Sequence, residues 1–156
     1  PGKPAASGPA GRELGGAALR WQRLAVVCAP ARSATSRRHA PLSYDPANVF
    51  ARILRREIPT QFLHEDEHCV AFRDIAPQAP VHFLVIPKRA LAGLGDAGLQ
   101  DAALLGHLLL TARAIAQRLG HPEARVVINN GAAAGQTVFH LHVHVLAGRP
   151  FAWPPG

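Results

Sequence analysis

The chain has 156 residues, 48% of them hydrophobic, which suits one domain with a real core and argues against a wholly disordered chain. No apolar run approaches the roughly 18 residues that a membrane-spanning helix needs, and two cysteines, Cys28 and Cys69, argue against a disulfide framework. The net charge of +7 is unevenly spread: residues 1–43 hold seven basic side chains against Glu13 alone, residues 44–156 ten against nine acids. The globular part therefore lacks the basic face that binding a nucleic-acid polymer usually needs, so neither a polymer nor a membrane is expected as its partner.

Residues 1–43 are rich in Ala, Gly, Pro, Ser and Arg and show no sustained hydrophobic period. Taken as a helix, residues 17–28 would place Trp21, Leu24, Ala25 and Cys28 on one face and Arg20 and Arg23 on another. An Arg-rich, acid-poor, locally amphipathic segment has the composition of an organelle-targeting presequence, and a disordered basic linker is the alternative. The absence of methionine, even at position 1, points to a fragment or a processed form. The domain is expected over residues 44–156.

Asp45 and Pro46 predict a helix start, with Phe50, Ile53 and Leu54 on its apolar face and Pro59 ending it. Three strands are predicted next, over Gln61–His64, Cys69–Arg73 and His82–Ile86, the first two joined across the acidic turn Glu65-Asp66-Glu67. The longest helical pattern runs from Asp96, as cap, to Leu119, with a stripe of Leu104, Leu105, Leu108, Ile115 and Leu119 before Gly120 and Pro122. Two last strands, Arg125–Asn129 and Val138–Leu146, complete an α+β domain: a mostly antiparallel sheet of about five strands with two helices.

The chemistry concentrates in the final strand. His140, His142 and His144 alternate with Phe139, Leu141, Val143 and Val145, so a strand would present three imidazoles in a row with an apolar backing. Neighbouring members of the row, about 6.7 Å apart, could share a zinc ion, but the outer two stand about 13 Å apart and cannot join them on one metal without bending the strand. His82 is the spare ligand for that rival. A row of imidazoles better suits a central nucleophile flanked by groups that orient it and manage protons, because neutral imidazole attacks phosphorus readily near pH 7. No metal and no cofactor is expected. Ahead of the row, the segment from Asn129 to Thr137 is a Gly/Ala loop with Gly131, Gly135, Gln136 and Thr137 as small or donor residues. It reads either as an anion cradle or as an ordinary hairpin loop.

The run from His140 to Leu146, His-Leu-His-Val-His-Val-Leu, resembles the signature of the histidine triad (HIT) superfamily. The stretches 50–59, 71–88 and 104–108 and the C-terminal Trp-Pro-Pro-Gly (153–156) resemble its histidine triad nucleotide-binding (Hint) branch. With an Arg-rich segment in front, the likeness is greatest to the mitochondrial member of that branch. The resemblance covers about residues 48–156. It implies the HIT-like fold and a homodimer that extends the sheet across its interface. It also implies hydrolysis of purine nucleoside 5′-phosphoramidates, AMP–amine conjugates, to AMP and the amine. By position, His142 resembles the nucleophile and His140 the residue that orients it, while His144 and His82 resemble imidazoles around the phosphate and leaving group. Asn129, Gly135 and Thr137 align with phosphate and leaving-group contacts, and Gln136 and Val138 are expected beside them among the nucleotide-binding residues. Asp74 aligns with the carboxylate that holds the ribose hydroxyls. Phe50, Ile53, Ile58, Phe72 and Ile75 align with the slot for the base. Thr137 stands where the family usually has Ser, and Phe139 replaces a common Tyr. A nucleotide-binding module with little turnover and a dinucleoside polyphosphate hydrolase are the other readings.

Overall fold

The computed structural model describes Gly2 and residues 44–155; the expected presequence helix at 17–28 lies outside the described residues. The element order is helix α1 (Val49–Leu54), strands β1 (Phe62–Glu65), β2 (Cys69–Arg73) and β3 (Val81–Pro87), helix α2 (Ala102–Arg118), and strands β4 (Arg125–Val127) and β5 (Val143–Ala147). The five strands form one sheet in the order β1-β2-β3-β5-β4, and every pairing is antiparallel. The expected α+β architecture is what the chain adopts.

Strand alternation sorts the core into two layers. Cys69, Ala71, Phe83, Val85, Val143 and Val145 pack with Leu108, Ala112 and Ile115 of α2 on one face of the sheet. Val70, Phe72, Leu84 and Ile86 pack with Phe50 and Ile53 of α1 on the other. Because side chains on a strand alternate with period two, the even-numbered residues of β3 and β5, His82 and His144 among them, face the α1 side.

Strands β1 and β3 differ from the sequence reading by one residue at each end and β4 stops at Val127 rather than Asn129; the larger differences lie elsewhere. Helix α1 is capped by Asn48, whose side chain accepts from the Ala51 amide; Asp45 instead forms the preceding turn, its side chain accepting from the Ala47 amide. The helix ends at Leu54, before Pro59, as Arg56 turns the chain with φ 63°. Asp96 does not cap α2. Residues 93–101 hold three glycines, which disfavour a continuous helix, and two short 3-10 turns at Leu94–Asp96 and Leu99–Asp101 lead into Ala102 instead. Asp101 there is fully buried, its carboxylate paired with Arg89 and accepting from the Gly98 amide. Finally, the regular strand covers only Val143–Ala147. Residues 138–142 keep the alternation but not the ladder, because the Leu141 amide donates to the Leu91 carbonyl at 2.6 Å.

Candidate active site

Each imidazole of the row has its tautomer set by a neighbour, since a ring nitrogen facing a carbonyl must carry hydrogen and one facing an N–H must not. His140 is fully buried; its Nε2–H donates to the Pro87 carbonyl at 2.9 Å and its Nδ1 accepts from the Tyr44 hydroxyl at 2.7 Å. Both nitrogens are thus committed, and His140 offers its backbone rather than its ring. Its carbonyl accepts the Nδ1–H of His142 at 2.7 Å, which leaves His142 Nε2 unprotonated. Phe50 packs edge-on against His142, with ring centroids 5.2 Å apart.

His82 and His144 form a second pair. The Gln78 amide donates to His82 Nδ1 at 3.1 Å, so the hydrogen sits on His82 Nε2 and is given to His144 Nδ1 at 2.9 Å. His144 is left with an Nε2–H to offer. Asp74 lies behind this pair, one carboxylate oxygen 3.5 Å from His82 Nε2 and 3.9 Å from His144 Nδ1, while its other oxygen accepts from the Ala76 amide at 2.8 Å.

Burial lowers the pKa of His140 and of His142, opposed by the carbonyl each donates to and, for His142, by the Asp74 charge. His144 is brought down to about 4, by burial first and then by His142 and His82. The three rings of the row are therefore neutral near pH 7, and His142 has a free lone pair there.

His142, His144 and Asp74 line a cavity of about 620 Å³ between α1 and the sheet, with His82 and His140 behind its wall. Its apolar wall is Val49, Phe50, Ile53, Ile58, Phe72 and Leu84, and its polar wall includes Asp74, Asn129, Gly135, Thr137, His142 and His144. Ile53, buried in the α1-side core, and Ile58, packed against it, serve core and cavity alike. Ile75 stands fully exposed at the mouth, so it forms a rim rather than a wall. Val138 lines the cavity.

Gln136 requires a correction. Its side chain is buried and turned inward: Nε2 donates to the Ala92 and Val138 carbonyls, and Oε1 accepts from the Gly131 amide. It braces the loop and has no free donor for an anion. The expected straight row of three rings is also revised, since the break before β5 puts His140 in the core and only His142 and His144 at the cavity. Tyr44 and the Gln78 amide, which fix two tautomers, were missed; nothing in their local sequence distinguishes them from ordinary loop residues.

A family model for the HIT domain matches residues 55–151. The chain belongs to the HIT domain family. An uncharacterised HIT-like protein of Synechococcus elongatus is 60% identical over 109 residues, 69% of this chain and 96% of the relative. A 14 kDa zinc-binding protein of Zea mays is 46% identical over 115 residues, 72% of this chain and 90% of the relative. Among solved structures, a HIT family hydrolase from Legionella pneumophila superposes with a TM-score of 0.68 at 43% identity, covering 70% of this chain and 99% of that one.

The zinc-binding relative raises the question of a cation at the histidines of this HIT domain. Asp74, His82 and His144 do bring three ligand atoms within 4.8 Å of one another. The hydrogen bonding is incompatible with a metal there: His82 Nε2 carries hydrogen because Nδ1 is occupied by the Gln78 amide, and an N–H has no lone pair to ligate with.

Proposed function

We propose that this HIT-domain protein hydrolyses purine nucleoside 5′-phosphoramidates through a nucleotidyl-histidine intermediate on His142, as its resemblance to the Hint branch implies. The observation that carries the reading is the His142 Nδ1–H bond to the His140 carbonyl, which leaves Nε2 as a nucleophile in a cavity with one apolar and one polar wall. The likeness to HIT family hydrolases supports a hydrolytic outcome.

In the first step Nε2 of His142 attacks phosphorus, forming a P–N bond as the bond to the substrate amine breaks. The amine must leave protonated. His144 Nε2–H and the Thr137 hydroxyl are the hydrogen-bond donors on the polar wall, and His82 orients His144 through their 2.9 Å bond. The proton that the amine carries away comes from solvent, since each neutral imidazole of that pair has a single hydrogen to keep. In the second step water attacks phosphorus, AMP departs, and His142 is restored. The apolar wall accepts the base, and Asp74, with lone pairs left on both oxygens, accepts from the ribose hydroxyls.

The proposal extends to assembly and place. Leu109 and Leu110 on α2 and Val126 on the edge strand β4 are exposed apolar side chains, which suits a homodimer that continues the sheet. The basic segment 1–43 suits a mitochondrial presequence.

The test is to incubate the protein with a phosphate-labelled AMP–amine conjugate, quench within one turnover and map the label. We expect label on His142, and neither label nor turnover in His142→Ala. Turnover in that variant above the uncatalysed background overturns the covalent route, binding without turnover in the unmodified chain favours a binding module, and faster turnover of a dinucleoside polyphosphate favours that substrate class.

A further inference from the structure

A second convergence of ligating side chains lies on the α2 face of the sheet, away from the cavity. It draws on β1 (His64), the β1–β2 turn (Asp66), the first residue of β2 (Cys69) and the second turn of α2 (His107). The register of β1 against β2 shifts between Phe62 and His64: Phe62 pairs with Phe72 on the α1 side, whereas His64 pairs with Ala71 on the α2 side. Without that irregularity both residues would share one face. The irregularity is what turns His64 toward α2.

His64 Nε2 lies 2.8 Å and His107 Nε2 lies 2.7 Å from the same oxygen of Asp66, Oδ2, and the Cys69 thiol lies 3.6 Å from it. The ligand atoms of His64, Asp66 and Cys69 are within 4.8 Å of one another. The carboxylate is held in this orientation by its other oxygen, which accepts the His68 and Cys69 amides, each at 2.8 Å.

We propose that His64, Asp66, Cys69 and His107 form a binding site for a divalent cation of the zinc class. Two imidazoles, a carboxylate and a thiol are the donor types such ions take in tetrahedral sites. Three of the four are already gathered, and the His107 ring, in contact with the Asp66 carboxylate, would move inward to complete the set. The tautomers permit it. Without an ion each Nε2–H donates to Asp66 Oδ2. Among the described residues no hydrogen bond holds Nδ1 of either ring, so on binding each hydrogen can move to Nδ1 and free an Nε2 lone pair for the ion, whereas the Gln78 amide blocks that move in His82. Access is also open: the side chains of His64, Asp66 and His107 are 30%, 26% and 36% exposed, while Cys69 closes the site from the core. Binding releases the thiol proton as the sulfur–metal bond forms. The ion would tie the β1–β2 turn to α2 without touching the cavity.

The full chain, freed of metal, is titrated with zinc by calorimetry and with cobalt(II) by absorption. We expect one equivalent per chain, tetrahedral cobalt bands with a thiolate charge-transfer band, and a Tm raised by zinc. His64→Gln combined with His107→Gln should lose the stoichiometric binding and the Tm shift while keeping its circular dichroism. Should that variant not fold, Cys69→Ser alone is decisive, because it removes the charge-transfer band although Cys28 remains. Turnover of the AMP conjugate should be unchanged in each folded variant. The site is refuted by weak binding of several equivalents only, by a charge-transfer band that survives Cys69→Ser, or by stoichiometric binding that survives loss of both histidines.

Discussion

At the scale of single residues, the site works by deciding where hydrogens sit. A histidine with an unperturbed pKa near 6.5 would be half protonated just below neutrality and a poor nucleophile there; burial of His142 pushes this lower. Activity limited by His142 ionisation should therefore hold on the acid side to below pH 6.5 before it falls. Asp74 opposes that shift by its charge, so Asp74→Asn should move the acid limb of single-turnover nucleotidylation to still lower pH. The same variant exchanges a charged acceptor for an amide, which should weaken nucleotide binding by about 1.5–3 kcal/mol. A 2′-deoxy substrate should lose less than the ribonucleotide. An unmoved acid limb, with equal losses on both substrates, would remove Asp74 from both roles.

At the scale of elements, the loop between β4 and β5 is held from inside. Gly131 and Gly135 have φ of 89° and 85°, where a side chain is strained, and Gln136 ties the loop to the Ala92 carbonyl and the Gly131 amide. Gln136→Leu leaves the buried Ala92 carbonyl unpaired, at about 1–3 kcal/mol before relaxation, and the half-buried Gly131 amide without its partner. The expected outcome is a lower Tm and, because Thr137 and Gly135 line the cavity, a lower kcat, with nucleotide labelling still on His142. A variant with wild-type Tm would show that the loop holds its shape without Gln136.

At the scale of the whole molecule, buried neutral imidazoles make stability depend on pH. His140, His142 and His144 are all depressed in the folded state, so below the unfolded value near 6.5 the unfolded chain binds more protons. Their contribution is intact above that value and is lost as pH falls toward about 4, where His144 titrates. Asp66 adds a further loss at lower pH: hydrogen bonds from His64, the Cys69 amide, His107 and the His68 amide outweigh its partial burial and hold its carboxyl below the usual range. Thermal melts should show Tm falling from pH 7 to 4, with the upper part of the fall diminished in His140→Gln if that variant folds. The tail is the other test at this scale. Removing residues 1–43 takes away most of the net charge and should leave Tm and turnover nearly unchanged. A fluorescent fusion of the intact chain should reach mitochondria, and the truncated one should not.

The sequence by itself determined the element order, the antiparallel sheet and the face on which the imidazoles lie, because alternation and apolar spacing are local properties of the chain. Cys69–Arg73 was legible to the residue, being a run bounded by turn residues and buried on both faces. His140, His142 and His144 were legible as a set, since their spacing survives the break in the ladder. Only the tertiary structure decided what each ring does. That the His140 ring is spent on Pro87 and Tyr44, that His82 is locked by the Gln78 amide, and that Gln136 faces inward all depend on partners 4 to 96 residues distant. The gathering of His64, Asp66, Cys69 and His107 depends likewise on a one-residue slip in β1 and on a helix 41 residues away from Asp66. A tautomer is set by the hydrogen-bonding group opposite the ring, and which group stands opposite is settled by packing rather than by neighbours in the chain.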